Sequence, residues 1–321
     1  MSFQEIPIID LSKAFDPETK LAFLKELRHA VIEVGFLLLK NYESYGPTKE
    51  ELEAVKQEAI NFFALPQDIK NEVEMIHLPH FLGYNRLANE ITSRATDWRE
   101  QIDLGTELPP PKDGEPVYKN IEGPNLWPNP KYAPNFRPVI ENHIAKMGAL
   151  AKTFRFLVSE AIGLAPDALE GFFKPNQQAK MKLIAYPDSA ELTGKNAKSV
   201  ALHDTPATGQ GCGPHRDSDL MTFIFQATPH QNSLQVQNFQ GKWVTVENIP
   251  DTLVWNAGQT LEAVTQGVCK ATIHRVLIPE AGSGTRISIP YFQTIDLDSK
   301  KIAVQNVDDD VLELSRRRDA K

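Results

Sequence analysis

The chain has 321 residues, is 41% hydrophobic and 24% charged, and carries a formal net charge of −8. That is the balance of an ordinary globular protein with room for one large domain or two small ones. The acidity argues against a nucleic-acid partner, since Arg316–Arg318 is too short to form a basic face, and no apolar stretch reaches the roughly 20 residues of a membrane span.

Two cysteines, Cys212 and Cys269, form no Cys-x-x-Cys pattern, and the N-terminus lacks the basic start and apolar run of a signal peptide. A cytoplasmic protein with reduced thiols is expected, acting on a small molecule as a monomer or weak homodimer. In chain order, Ile6–Leu11 opens as a short strand. A helix is predicted from about Pro17 to Val34, with Asp16 as cap, leucines and valines at helical spacing, and Gly35 as its stop. Phe36–Lys40 reads as a buried strand, and Thr48-x-x-Glu51 is a capping box opening a second helix. Prolines between Pro109 and Pro134 exclude a regular helix or central strand there, and a long helix follows from about Phe136 to Ile162. From Met181 onward short strands alternate with turns, which means a sandwich or barrel. The segment from Asp188 to Gly213 reads as a long polar loop.

Chemistry concentrates after that loop. In His215-Arg-Asp217 the two outer side chains of an extended segment point to one side and can close on one ion. His274 offers a third donor from another predicted strand, and Arg286-Ile-Ser288 places a forked guanidinium and a hydroxyl on one face of a third. Two imidazoles and one carboxylate leave the opposite positions of a metal open, the facial arrangement of non-haem iron oxygenases. Each segment alone is commonplace. A lone His-x-Asp arises by chance, His274 alone reads as packed or capping, and Arg286 alone as the partner of a surface acid. Their common order and spacing raise the reading above those. His203-Asp204 is a rival pair but a poorer chelate, because adjacent residues of an extended chain face opposite ways.

On His215, Asp217, His274, Arg286 and Ser288 the chain resembles the 2-oxoglutarate- and Fe(II)-dependent oxygenases, in the isopenicillin N synthase-like branch. The resemblance implies an α+β protein: a double-stranded β-helix (jelly-roll) core braced by helices, with residues 1–135 as an N-terminal region packed on a core of residues 136–321. It implies Fe(II) on His215, Asp217 and His274, and 2-oxoglutarate chelating that iron with its far carboxylate on Arg286, Ser288 and Tyr186. O2 is then consumed and succinate and CO2 released as a C–H bond is oxidised, by default hydroxylated, in a setting such as secondary metabolism. The segments around Tyr84-Asn-Arg86 and Trp98 resemble those that line the family's substrate cavity, although Tyr84, Trp98 and Tyr186 can equally be structural. Tyr84, Trp98, Phe223, Phe225 and Phe292 suggest an apolar or aromatic substrate, with Arg86 as a further candidate lining residue.

Departures from the family pattern are Gln259 where an acid is common, Ser233 where glycine is usual, and Arg216 inside His-x-Asp. Relatives also commonly continue with a further helix beyond the segment that starts at Asp308. Two rival readings stand beside the main one. Related oxidases share Arg-x-Ser without using 2-oxoglutarate, and the same scaffold can serve as a non-catalytic binding protein.

Overall fold

The computed structural model describes residues 2–193, 209–300, 303–304 and 307–319. Fourteen strands are described: β1 (Ile8–Asp10), β2 (Phe36–Lys40), β3 (Gly83–Asn85), β4 (Glu90–Thr92), β5 (Ala95–Asp97), β6 (Glu100–Gly105), β7 (Lys180–Tyr186), β8 (Gln210–His215), β9 (Met221–Gln226), β10 (Leu234–Gln237), β11 (Trp243–Thr245), β12 (Thr252–Ala257), β13 (His274–Leu277) and β14 (Arg286–Gln293). The α-helices among the same residues are α1 (Lys20–His29), α2 (Lys49–Phe63), α3 (Gln67–Asn71), α4 (Phe136–Ala161), α5 (Ser189–Thr193), α6 (Gln259–Val264) and α7 (Asp309–Asp319).

The strands form an eight-stranded sheet in the order β1-β2-β12-β9-β14-β7-β6-β3, a four-stranded sheet β11-β10-β13-β8, and the hairpin β4-β5. Among the described strands, β1 and β2 form the one parallel pair. Between the two sheets lies an apolar layer of Phe36, Ile184, Ile224 and Val254 from the large sheet with Leu234, Val236 and Val276 from the small one. The large sheet's other face packs on the helices, where Phe154 of α4 meets Phe223 edge-on at 5.7 Å and Trp255 at 5.6 Å. Alternate residues of one strand therefore serve two different cores. This is the jelly-roll core braced by helices that the resemblance implies, and the large sheet takes β1, β2, β3 and β6 from before residue 136.

Local signals account for the helix ends. In α2 the Thr48 hydroxyl accepts from Glu51 N–H and the Glu51 carboxylate accepts from Thr48 N–H, a complete capping box. The first helix differs from expectation. Its regular part is Lys20–His29, and it widens into a π-helical turn over Ala30–Val34 before Gly35 ends it at φ 75°. Gly35 is required twice over, because a Cβ there would lie 2.2 Å from the Lys270 carbonyl. Both ends of the predicted long loop are regular structure. Ser189–Thr193 is helical and Gly211, Gly213 and Pro214 belong to β8. Those glycines serve close approach rather than disorder: a Cβ would meet the Tyr186 ring at Gly211 and Thr92 at Gly213. His203-Asp204 lies outside the described residues. The C-terminal α7 is docked by Arg318, whose guanidinium donates to Ile32, Val268 and Gly267 carbonyls.

One buried group makes the fold acid-sensitive. His143 of α4 is 1% exposed, and neither ring nitrogen has a hydrogen-bond partner among the described residues. Burial pushes its pKa down to about 4, only partly offset by Glu51. A histidine depressed in the folded state leaves stability intact above its ordinary value near 6.5 and loses it as pH falls towards 4. His143→Leu should therefore unfold later than the parent at pH 5 by roughly 2 kcal/mol and show little difference at pH 8. Urea titrations at the two pH values measure this, and equal shifts at both would contradict it.

Candidate metal centre

Register brings two imidazoles together. β8 and β13 pair antiparallel with His215 opposite His274, and the ring centroids stand 4.2 Å apart. Asp217 does not share their strand. It follows β8 in the turn to β9, folded back by Gln259 N–H donating to its carbonyl and by Gly258 pressed against the Asp219 main chain. The chelate thus joins a strand end to a turn, rather than alternate positions of one strand.

Each donor is oriented by a neighbour. Asp217 Oδ2 accepts from the Thr222 hydroxyl and from Asn256 Nδ2 at 2.8 Å, which leaves Oδ1 3.6 Å from Nε2 of both His215 and His274. The Nδ1 atoms donate to carbonyls, His215 to Gly213 at 2.8 Å and His274 to Thr272 at 3.3 Å. A carbonyl can only accept, so each Nδ1 carries a proton and the two Nε2 atoms, the positions left for a metal, face Oδ1. All three candidate ligand atoms fall within 4.8 Å of one another. Burial opposes charge on each group. On His215, hydrogen bonds to Asp217 and Cys212 outweigh it and raise the pKa to about 10. His274, buried and beside His215, falls to about 4. Asp217 stays ionised against its burial because of the two histidines and lies well below the usual carboxylate range. Two imidazoles and a carboxylate, oriented and largely dehydrated, fit a divalent cation such as Fe(II).

Beside the trio lies a cavity of about 490 Å3 lined by Tyr186, Arg286, Ser288 and Phe292 as well as the trio itself. Arg286 is 1% exposed. One nitrogen donates to Gln226 Oε1 at 3.2 Å, its plane lies 5.3 Å from the Tyr186 ring centroid, and Nε and Nη1 have no partner among the described residues. Burial lowers the Arg286 pKa. Two unpaired nitrogens on a buried guanidinium form a receptor for a carboxylate. A larger groove of about 740 Å3 opens between α4 and the other face of the large sheet and holds none of the trio.

Three expected lining residues sit elsewhere. Tyr84 pairs across β6 with Ile102 and points to the helix side, donating to Glu100 and packing 5.9 Å from Phe62. Arg86 is exposed and bound to Glu74. Phe223 faces α4, because it alternates with the inward Thr222 and Ile224. Trp98 and Phe225 are likewise absent from the cavity wall, so of the expected aromatic lining only Phe292 is found there, joined by Phe81 and Tyr186. The sequence reading missed Thr222 and Asn256, which orient Asp217, and the charged wall of Arg99, Asp103, Lys180, Lys182 and Asp219. Strand parity with Tyr186 was the available signal for Lys180 and Lys182.

The comparisons agree with this geometry. Residues 6–130 match the N-terminal family described as non-haem dioxygenase in morphine synthesis, and residues 191–295 match the 2OG-Fe(II) oxygenase superfamily. The chain is 44% identical over 299 residues to the 2-oxoglutarate-dependent dioxygenase frbJ of Dothideomycetidae sp., covering 93% of this chain and 76% of that one. It is 32% identical over 307 residues to a homoarginine-6-hydroxylase of Glycine max, covering 92% and 87%. In fold it is similar to a Neurospora crassa protein crystallised with alpha-KG and thymine, at a TM-score of 0.75 and 24% identity over 98% of this chain and 96% of that one.

If Thr222 and Asn256 hold the carboxylate in place, Thr222→Val and Asn256→Ala should each weaken binding of Mn(II), used as an oxygen-insensitive substitute, by about 10- to 100-fold. Calorimetric titration checks this, and unchanged affinity in both variants would remove the orienting role.

Proposed function

The chain belongs to the 2-oxoglutarate- and Fe(II)-dependent dioxygenases, and from that premise we propose that His215, Asp217 and His274 hold the iron while Arg286 and Ser288 take the far carboxylate of 2-oxoglutarate. The enzyme oxidises a small organic molecule, with hydroxylation of a C–H bond as its reaction. When bound, Fe(II) with 2-oxoglutarate and O2 supplies the oxidising power, and succinate and CO2 are released with the hydroxylated product.

The chain's own residues supply placement. Thr222 and Asn256 keep Asp217 Oδ1 aimed at the histidines. Arg286 and Ser288, on one face of β14, receive a carboxylate at the inner end of the cavity, and the Tyr186 ring backs the guanidinium. That ring contact supports a backing role for Tyr186 alongside the direct contact that the resemblance implies. The buried wall excludes water from the reacting centre. The single observation that carries the assignment is the buried Arg286 with two unpartnered nitrogens in the same cavity as the trio.

Among the two rivals, relatives named as 2-oxoglutarate-dependent favour that co-substrate over the oxidases that dispense with it. The plant relatives' names support hydroxylation over desaturation. A role in secondary metabolism and a cytoplasmic setting complete the proposal, the second supported by the free thiols of Cys212 and Cys269.

Arg286→Ala should raise KM for 2-oxoglutarate by about 30- to 150-fold, equivalent to roughly 2–3 kcal/mol for lost charge-assisted bonds. Arg286→Lys should recover only part, because an ammonium lacks the fork. Succinate release against 2-oxoglutarate concentration measures both, and an unchanged KM in the alanine variant would refute the anchor. His274→Ala should abolish iron-dependent succinate release; residual turnover at a tenth of the parent rate would exclude it as a ligand.

A further inference from the structure

Part of the cavity wall carries charges that iron and 2-oxoglutarate leave unused. Along β7 the inward positions are Lys180, Lys182, Ile184 and Tyr186, each two residues from the last. Tyr186 is opposite Arg286 at one end of this row, and Lys180 is opposite Phe292 at the other. Phe292 in turn pairs with Thr222, whose hydroxyl holds Asp217. The lysines therefore stand at the metal end of the cavity, away from the co-substrate's anchor.

The two lysines differ in one respect. Lys182 is matched by Asp103 at 2.8 Å. Lys180 is not matched: its ammonium donates to the main-chain carbonyls of Ile121 and His80, and no carboxylate lies within 4.0 Å of it among the described residues. Asp219 is its counterpart of opposite sign. It lines the same cavity, takes only a 3.4 Å contact from the Ser218 hydroxyl, and has no cation within ion-pair distance among the described residues. Both side chains are half-buried, so each charge is held against a desolvation cost. Half-buried charges left without a salt bridge are costly unless a partner arrives. A neutral apolar substrate would dehydrate both and satisfy neither, whereas a molecule with both signs would satisfy each.

We propose that Lys180 and Asp219 are the specificity-determining pair of the substrate site, Lys180 receiving a carboxylate and Asp219 a cationic nitrogen of one small zwitterion of the amino-acid class. Phe292, between β7 and β9 on the same wall, packs against the carbon skeleton. The inference rests on the iron and 2-oxoglutarate reading above and replaces the expectation of an aromatic substrate.

The test uses the iron-loaded full chain and follows succinate release above the substrate-free background. The probes are the proteinogenic α-amino acids, their C-terminal amides, the amines agmatine and cadaverine, and a set of uncharged aromatic compounds. Amino acids should stimulate release, and the amide or amine of the best one should fall at least about 30-fold in kcat/KM. Lys180→Gln and Asp219→Asn should each raise KM for that amino acid by about tenfold or more, with the loss falling on its KM and not on that of 2-oxoglutarate. A lysine that only clamps the Ile121 and His80 carbonyls would lower Tm without changing the preference for acid over amide. The proposal is overturned if uncharged compounds alone stimulate release, if no zwitterion does so in an enzyme with intact background turnover, or if Lys180→Gln leaves the amino-acid KM within twofold. Failure of the earlier reading looks different: no iron-dependent succinate from any mixture and no binding of 2-oxoglutarate.

Discussion

The site depends on how one carboxylate is held. Asp217 is buried among apolar strands, where an ionised group persists only if both oxygens are satisfied. Thr222 and Asn256, directly opposite one another on β9 and β12, take Oδ2, and the two histidines face Oδ1. The anchors come from the large sheet and the imidazoles from the small one. The same carboxylate that completes the candidate ligand set therefore also faces both sheets at the cavity.

The large sheet can carry both a helical layer and a polar cavity because its strands alternate strictly. On β14, Arg286, Ser288, Pro290 and Phe292 face the cavity while Ile287, Ile289 and Tyr291 join the core against the helices. On β9, Thr222 and Ile224 face in and Phe223 faces α4. A shift of one residue in either strand would exchange the guanidinium for isoleucine, so the register that stabilises the fold also sets the chemistry.

The departures from the family pattern are absorbed locally. Gln259 keeps the ligand turn closed through its main-chain N–H on the Asp217 carbonyl and its side chain on that of Arg216, so no carboxylate is needed there. Arg216 itself reaches the cavity wall. With Lys180, Lys182, Asp103 and Asp219 it makes part of the cavity wall a charged surface, where the aromatic residues of the sequence suggest an apolar one.

What the sequence determined by itself were features written within one segment. The capping box at Thr48, the glycine stop at Gly35, the long helix from Phe136, and the spacing of His215, Asp217, His274, Arg286 and Ser288 all depend on neighbours a few residues apart or on a recurrent order of motifs. Tertiary structure alone decided the rest. That His215 meets His274 is a matter of register between β8 and β13, and that Asn256 reaches Asp217 is a matter of pairing between β12 and β9. Tyr84 and Phe223 carried plausible chemistry but fell on the wrong side of their strands. Lys180 and Asp219, unremarkable as letters, came to share one cavity wall. Side-chain type is local, whereas facing is set by which strand lies opposite, and that requires the whole sheet.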